Sequence, residues 1–250
     1  MKTQRQAAAP VVHVSGVNKH FGSHQVLHDV HLNVAAGERV VICGPSGSGK
    51  STLARCISGL EPYGSGEVRV NGQSVSPRMR HSALVAANIG MVFQQFNLFP
   101  HLTVLQNCTL AQRWVRRRGK QDARDIAMAQ LAKVRLAEKS TAYPGQLSGG
   151  QQQRVAIARA LCLDPSVLIF DEATSALDPE MVKEVLDTMI LLAKDGMTMI
   201  CITHEMGFAR AVADKVVFME AGHIVQQETP DNFFDANADP RIQHFLKGVH

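Results

Sequence analysis

Eight consecutive residues, Gly44-Pro45-Ser46-Gly47-Ser48-Gly49-Lys50-Ser51, constrain this chain more than any other stretch. Their spacing, G-x-x-x-x-G-K-S, is that of a loop that wraps a nucleoside triphosphate. Each position has a physical job. The glycines let the backbone fold tightly round an anion, so that successive N–H groups point inward. The helix that follows turns its positive end toward the phosphates. Lys50 brings a point charge to the β and γ phosphates, and the Ser51 hydroxyl is a Mg²⁺ ligand. The loop needs a strand before it and a helix after it. Arg39-Val40-Val41-Ile42-Cys43 reads as a short buried strand, and Thr52-Leu53-Ala54-Arg55-Cys56-Ile57 as the helix.

The rest of the chain is compatible with one large α/β domain. At 250 residues it has room for one large domain or two small ones. Hydrophobic residues make up 45% and charged residues 19%, as in an ordinary globular protein. A net charge of +4 is too small to argue for nucleic acid. No run approaches the roughly 18 apolar residues of a membrane span. Met1 to Pro10 lacks the apolar centre of a secretory signal and reads as a loose tail, residues 1–10. The five cysteines are scattered without C-x-x-C and read as small buried thiols. The eleven histidines show no zinc-ligand spacing.

Along the chain, Val11 to Val34 reads as β structure turning near Gly22-Ser23. Glu67 to Val70 alternates like a half-buried strand and ends in the hairpin turn Asn71-Gly72. Ile89 to Phe93 is a short apolar strand. From about Leu105 to Leu163 helical patterns dominate, so residues from about 95 to 163 form a helical insert in an α/β core. Beyond it, Asp178 reads as an N-cap, Pro179 as the first helical residue and Gly196 as the left-handed stop. Val182, Val185, Leu186, Met189 and Ala193 give that helix one buried stripe. Met197 to Ile202 follows as a buried strand, which implies parallel βαβ units. Lys215 to Glu220 and His223 to Gln227 form a closing hairpin around Ala221-Gly222.

Two further motifs carry chemistry. Val167-Leu168-Ile169-Phe170-Asp171-Glu172 describes a central strand whose tip emerges into a site. Asp171 can hold Mg²⁺, and Glu172 can polarise an attacking water. Adjacent carboxylates at a buried strand end are costly unless a cation sits there. In Leu147-Ser148-Gly149-Gly150-Gln151, Ser148 and Gln151 have capping-box spacing, so a helix starts there. Gly149 and Gly150 remove side chains that would block an anion approaching that helix end. A simple glycine-containing cap is the plainer alternative.

With Gln152 to Leu161 running on behind it, Leu147 to Gln151 resembles the signature motif of ATP-binding-cassette ATPases. The other cassette elements stand in the expected order. Gln94 resembles the Q-loop glutamine, Ser175-Ala176-Leu177-Asp178 the D-loop, and His204 the switch histidine. Phe21, before Gly22, matches the aromatic that stacks on adenine. Asn97 to Leu105, Tyr143 to Gln146 and Thr203 to Arg210 resemble the polar amino-acid uptake branch. Asn107 to Leu110 with Trp114 to Arg116 is similar to its general L-amino-acid members. Ala173 and Gln106 depart from that branch, which usually has proline and glutamate there.

The resemblance implies a phosphate-loop NTPase with a RecA-like core, an N-terminal antiparallel β subdomain and an inserted helical subdomain, all within residues 11–250. It implies an ATPase that uses ATP and Mg²⁺. Glu172 would be the general base, Lys50 the phosphate clamp, and His204 a contact to the γ phosphate. Ser51, Gln94 and Asp171 would hold the metal. Nucleotide contacts would run from Gly44 through Thr52, with Phe21, Asp178, and Ser148, Gly149, Gly150 and Gln151 from the facing copy. The implied assembly is a head-to-tail homodimer on the cytoplasmic face of the inner membrane. It would be bound to integral-membrane permease subunits and served by a periplasmic or extracellular solute-binding protein, with no nucleic acid expected. A cassette for another cargo, such as lipoprotein or metal, or a non-transport switch, is the alternative. The basic run Arg113, Arg116, Arg117, Arg118 and Lys120 reads as a solvated face, with a headgroup or nucleic-acid role as its alternative. Phe96, Leu98, Phe99 and Leu102 read as subdomain core or as the surface that receives a permease helix.

Overall fold

The computed structural model describes residues 9–75, 88–235 and 239–248. The expected tail falls largely outside them, since residues 1–8 are not among the described residues. Two sheets organise the chain. The first is antiparallel, with strand order β2-β1-β4-β5, built from β1 (Val12–Phe21), β2 (His24–Val34), β4 (Ser65–Val70) and β5 (Gln73–Ser74). Its strands alternate between buried and exposed residues, as a sheet with one solvated face should. Asn71 and Gly72 both have positive φ, as expected of the tight turn between β4 and β5.

The second sheet has strand order β10-β9-β3-β8-β7-β6. Its strands are β3 (Arg39–Cys43), β6 (Ile89–Phe93), β7 (Val167–Asp171), β8 (Met199–Ile202), β9 (Lys215–Glu220) and β10 (His223–Glu228). β6, β7, β8, β3 and β9 pair in parallel, and β10 closes the edge antiparallel to β9. β7 and β8 are buried at every position, which is why they read as unbroken apolar runs. Apolar side chains of both sheets meet with α1 (Lys50–Ile57) in one core. The opposite face of the parallel sheet packs on helices in a second core.

Helices fill the stretch between β6 and β7. α2 (Val104–Trp114), α3 (Lys120–Lys133) and α4 (Gly149–Leu161) follow β6 with no strand between them among the described residues. α2 opens with a complete capping box. The Gln106 amide N–H donates to Thr103 Oγ1 at 3.2 Å, and Gln106 Oε1 accepts from the Thr103 N–H at 2.8 Å. A glutamine performs this exchange as well as a glutamate, so the departure at 106 leaves the cap intact.

α5 (Pro179–Lys194) corrects two expectations. Asp178 sits at the N-cap position, but its side chain makes no capping hydrogen bond. The buried stripe is Val185, Thr188, Met189, Leu192 and Ala193, whereas Val182 and Leu186 are only partly buried. The stop at Gly196 is left-handed, with φ of 80°. The basic run also divides. Arg116 donates to Leu163 O and Arg118 to Cys162 O, pinning the α2–α3 turn to the end of α4, while Arg113, Arg117 and Lys120 are exposed.

After β8 come α6 (Met206–Val212), α7 (Pro230–Phe233) and α8 (Pro240–Gly248). α7 and α8 lie beyond the closing hairpin, where no helical signal stands out in the sequence. α8 packs Ile242 into a third small core with Cys43, Val216, Phe218 and Phe233. All five cysteines are buried free thiols. Burial pushes the Cys43 and Cys56 thiols up to about 12, so they are inert at neutral pH. No helix among the described residues is long and apolar enough to cross a membrane.

Candidate active site

Register across the parallel sheet assembles the site. Phe93 of β6 lies beside Asp171 of β7, Asp171 beside Ile202 of β8, and Ile202 beside Ile42 of β3. The chain therefore leaves these strands at one edge, carrying Gln94, Glu172, Thr203-His204 and the phosphate loop out together. Carboxyl ends of parallel strands are where such sheets bind ligands.

The loop has the geometry its glycines suggested. Gly44, Gly47 and Gly49 have φ of 143°, 77° and 96°, a region that favours glycine. A Cβ on Gly44 would lie 1.9 Å from Met219 O, and one on Gly49 would lie 2.9 Å from Val26 O and from Leu27 Cδ2. β9 and β2 thus press on the loop from two sides. Lys50 opens α1 and is buried. Its ammonium donates to Gly44 O at 2.9 Å and Pro45 O at 2.8 Å, curled back on its own loop. Burial lowers its pKa, and the Glu172 carboxylate is the largest of the groups that raise it. Ser51 follows Lys50 in the first turn of α1, with Thr52 beside it.

The acidic pair lies opposite. Asp171 ends β7 and is only 4% exposed. Arg55 Nη2 donates to its Oδ2 at 3.5 Å, while its buried Oδ1 has no hydrogen-bond partner among the described residues. An orphaned buried carboxylate oxygen whose charge reaches Lys50 fits a cation beside the loop. Ser51 supplies a hydroxyl, and nucleotide oxygens would complete the shell. No cluster of three or more histidine, cysteine, aspartate or glutamate side chains forms a metal cage of its own among the described residues.

Glu172 has φ of 53°, in the left-handed region, and its amide donates to Ile202 O at 3.1 Å. This fixes the backbone just where the carboxylate turns toward His204, whose Nε2 lies 3.8 Å from Glu172 Oε1. Nothing in the sequence announced that strained conformation. Gln94 is exposed one residue beyond β6. Phe21 stands at the tip of the β1–β2 hairpin, 49% exposed, with the Lys19 ammonium 4.3 Å from its ring centroid. Val26 and Leu27, further along β2, are the residues that press on Gly49.

The remaining motif is set apart by its packing. Ser148 caps α4, accepting from the Gln151 N–H at 3.3 Å, while its own N–H donates to Gln151 Oε1 at 3.1 Å. The structure adds a second constraint on Gly149 and Gly150. A Cβ on Gly149 would meet Leu177 at 3.0 Å, and one on Gly150 would meet Met181 at 3.0 Å. The Gly150 N–H donates to Met181 Sδ. Both glycines therefore admit the Leu177–Met181 segment of their own chain, which seats the stretch bearing Asp178 against the start of α4.

Two side chains missed in the sequence tie this helix to the Gln94 loop. Buried Gln153 donates to Phe93 O at 3.0 Å, and Arg159 donates to Asn97 O at 2.6 Å and Phe96 O at 3.2 Å. Their signal was faint, since polar residues inside a helix look solvated until their partners are known. Of the apolar residues after Gln94, Leu98 packs on the helical core, and Phe99 is largely exposed.

A family profile for ABC transporters matches residues 27–175 of this chain. An uncharacterized amino-acid ABC transporter ATP-binding protein of Escherichia coli strain K12, YhdZ, is 57% identical over 244 residues, spanning 98% of this chain and 97% of its own length. The general L-amino acid transport ATP-binding protein AapP of Rhizobium johnstonii is 54% identical, over 97% of this chain and 95% of its own. Among solved structures, a dimeric post-hydrolysis state of the ATP-binding cassette MJ0796, bound to ADP and Pi, superposes with a TM-score of 0.78 at 34% identity. It covers 88% of this chain and 98% of that one.

Proposed function

This chain belongs to the ABC transporter family, and from that premise we propose that it is the ATP-hydrolysing subunit of an importer for polar or general L-amino acids. The observation that carries the ATPase reading is the strand register, which delivers Gln94, Glu172, His204 and the phosphate loop to one edge of the sheet. The amino-acid cargo is supported by the names of the two relatives, above all that of AapP, and by the segments that resemble that branch.

The chemistry follows from the side chains. Lys50 leaves the Gly44 and Pro45 carbonyls and turns its ammonium to the phosphates, exchanging two neutral acceptors for charged ones. Glu172 takes a proton from the attacking water as general base. His204, beside Glu172, contacts the γ phosphate. Ser51 and Asp171, with Gln94, would hold Mg²⁺, which would supply positive charge against the phosphates there. Phe21 offers its ring to adenine.

The assembly in this reading is a homodimer. Ser148 has its cap acceptor satisfied within α4, and its hydroxyl proton remains to donate to a γ phosphate across the interface. Loss of that phosphate removes the anion both copies grip, and the dimer opens by population shift. The dimer sits at the cytoplasmic face of the cell membrane, against permease subunits fed by a solute-binding protein.

Glu172→Gln tests the reading. The variant should bind ATP and hydrolyse it about 10²–10⁴-fold more slowly, the usual contribution of a general base. It should also elute as a dimer in ATP and as a monomer without it. Undiminished steady-state hydrolysis would remove Glu172 from the role of base. Loss of labelled L-amino-acid uptake in cells lacking the chain would test the cargo.

A further inference from the structure

His204 has two close neighbours, the Glu172 carboxylate and an aromatic ring. Among the described residues its ring makes no hydrogen bond, and Glu172 Oε1 at 3.8 Å is too distant for one. The aromatic ring comes from the C-terminal helix: Phe245 of α8 lies 6.4 Å from His204, centroid to centroid, with the planes inclined at 46°. Phe245 in turn rests 5.4 Å from Phe218. Phe218 is fully buried on β9 beside Cys43, the residue that precedes the phosphate loop.

α8 is firmly seated under this contact. Ile242 is fully buried, and Arg241 reaches both Asp239 at 2.9 Å and Glu220 at 3.8 Å. Beside it a cavity of about 320 Å³ opens between Pro45, Ser46, His204, Arg241, His244 and Phe245. The histidine therefore has empty space on one side and Phe245 on another. A ring without a hydrogen bond depends on packing for its orientation, and a reaction that uses one orientation is faster when packing favours it.

From this we infer that Phe245 is a positioning residue for the ATPase reaction: the C-terminal helix sets the orientation of His204 through an aromatic contact anchored on Phe218. The inference rests on the ATPase reading of the site and extends it to a helix outside the nucleotide motifs. Nucleotide binding does not need Phe245, since Lys50, Ser51 and the loop amides stand on other elements. Its loss acts on turnover and leaves ATP affinity alone.

The test uses two variants of the full chain. Phe245→Leu keeps apolar volume against Phe218 and removes the ring, and Phe245→Tyr keeps the ring. Phe245→Leu should lower kcat roughly three- to tenfold, the worth of one aromatic contact, with KM for ATP within about twofold and a melting temperature close to wild type. Phe245→Tyr should restore the rate. In the nucleotide-free protein, the ring C–H resonance of His204, identified by its loss in His204→Ala, should move in Phe245→Leu and stay in Phe245→Tyr. An unchanged kcat in Phe245→Leu, a loss confined to KM, or an unmoved resonance would overturn the positioning role. A wild-type chain without ATPase activity would remove the premise and this role with it, whereas a wild-type ATPase with an unmoved resonance would overturn the positioning role alone.

Discussion

Three glycines of the phosphate loop look equivalent in the sequence and are not equivalent in the structure. A Cβ at Gly44 would fall 1.9 Å from Met219 O, whereas one at Gly47 would meet nothing within 4 Å. Both positions have positive φ, so alanine at either is strained by about 1–2 kcal/mol. Gly44→Ala adds a backbone collision with β9, and should cost well over about 2 kcal/mol and abolish ATP binding. Gly47→Ala should lose about 1–2 kcal/mol of stability and keep measurable binding. Urea unfolding and ATP titration of the two variants would check the order; equal effects would show that the collision is relieved by a shift of β9. The motif positions themselves were legible because their chemistry is local: a phosphate cradle needs consecutive glycines, and an acidic strand tip needs an apolar run before it. The contacts that also require Gly149 and Gly150 were not legible, because Leu177 and Met181 approach from 28 and 31 residues further along the chain. The positive φ of Glu172 was hidden for the same reason, its amide being held by Ile202 of the next strand.

At the scale of elements, periodicity worked where an element buries a face against one neighbour. β6 runs over Ile89–Phe93 as expected, and α5 starts at Pro179. It failed for α8, whose Ile242, Phe245 and Leu246 do have helical spacing behind Pro240. A helix of that length carries too few apolar positions to stand out, and its place is decided by Phe218, which only the fold brings near. Pairs that tie strand ends together were equally invisible. Asp214 accepts from the Arg39 N–H at 2.9 Å and from its Nε at 2.7 Å, joining the starts of β9 and β3. The Arg39 guanidinium bonded to Asp214 holds that carboxyl below its usual range. A depressed carboxylate pKa stabilises the fold above the unfolded value of about 3.9, and that contribution disappears as pH falls through the lower folded value. Because Asp214 is more than a third exposed, solvent screening keeps the effect small. Asp214→Asn should cost about 1 kcal/mol at pH 7. The difference from wild type in urea midpoints should shrink as pH drops below about 4. A difference that persists undiminished at pH 2 would mean that packing, and not the charge pair, joins the two strands.

At the scale of the whole molecule, the proposed nucleotide would add to contacts that already join the two sheets, through apolar side chains and through polar pairs such as Lys215 Nζ to Asn33 O and Gln227 Nε2 to His31 O. The His28 N–H donates to Gly222 O at 3.0 Å, and the Gly222 N–H donates to Ser48 O at 3.2 Å, so the antiparallel sheet already touches the phosphate loop through one glycine. ATP would reinforce that link from its other end, with adenine on Phe21 of the antiparallel sheet and phosphates on the parallel one. A ligand present at 100 times its Kd stabilises the folded state by about 2.7 kcal/mol. For a chain of this size that raises the melting temperature by roughly 5–10 °C. Stacking on an aromatic ring is worth about 1–3 kcal/mol per base. At the same ATP concentration, Phe21→Ala should therefore lose about 1 kcal/mol or more of the shift, while its melting temperature without nucleotide stays near that of wild type, since Phe21 is half exposed. Lys50→Ala should lose nearly all of the shift, because the phosphates then meet no charge at the loop. Differential scanning fluorimetry on the three proteins, with and without MgATP, separates the cases. If Phe21→Ala kept the full shift, adenine would lie elsewhere, the hairpin tip would be a bystander, and nucleotide binding would be confined to the parallel sheet.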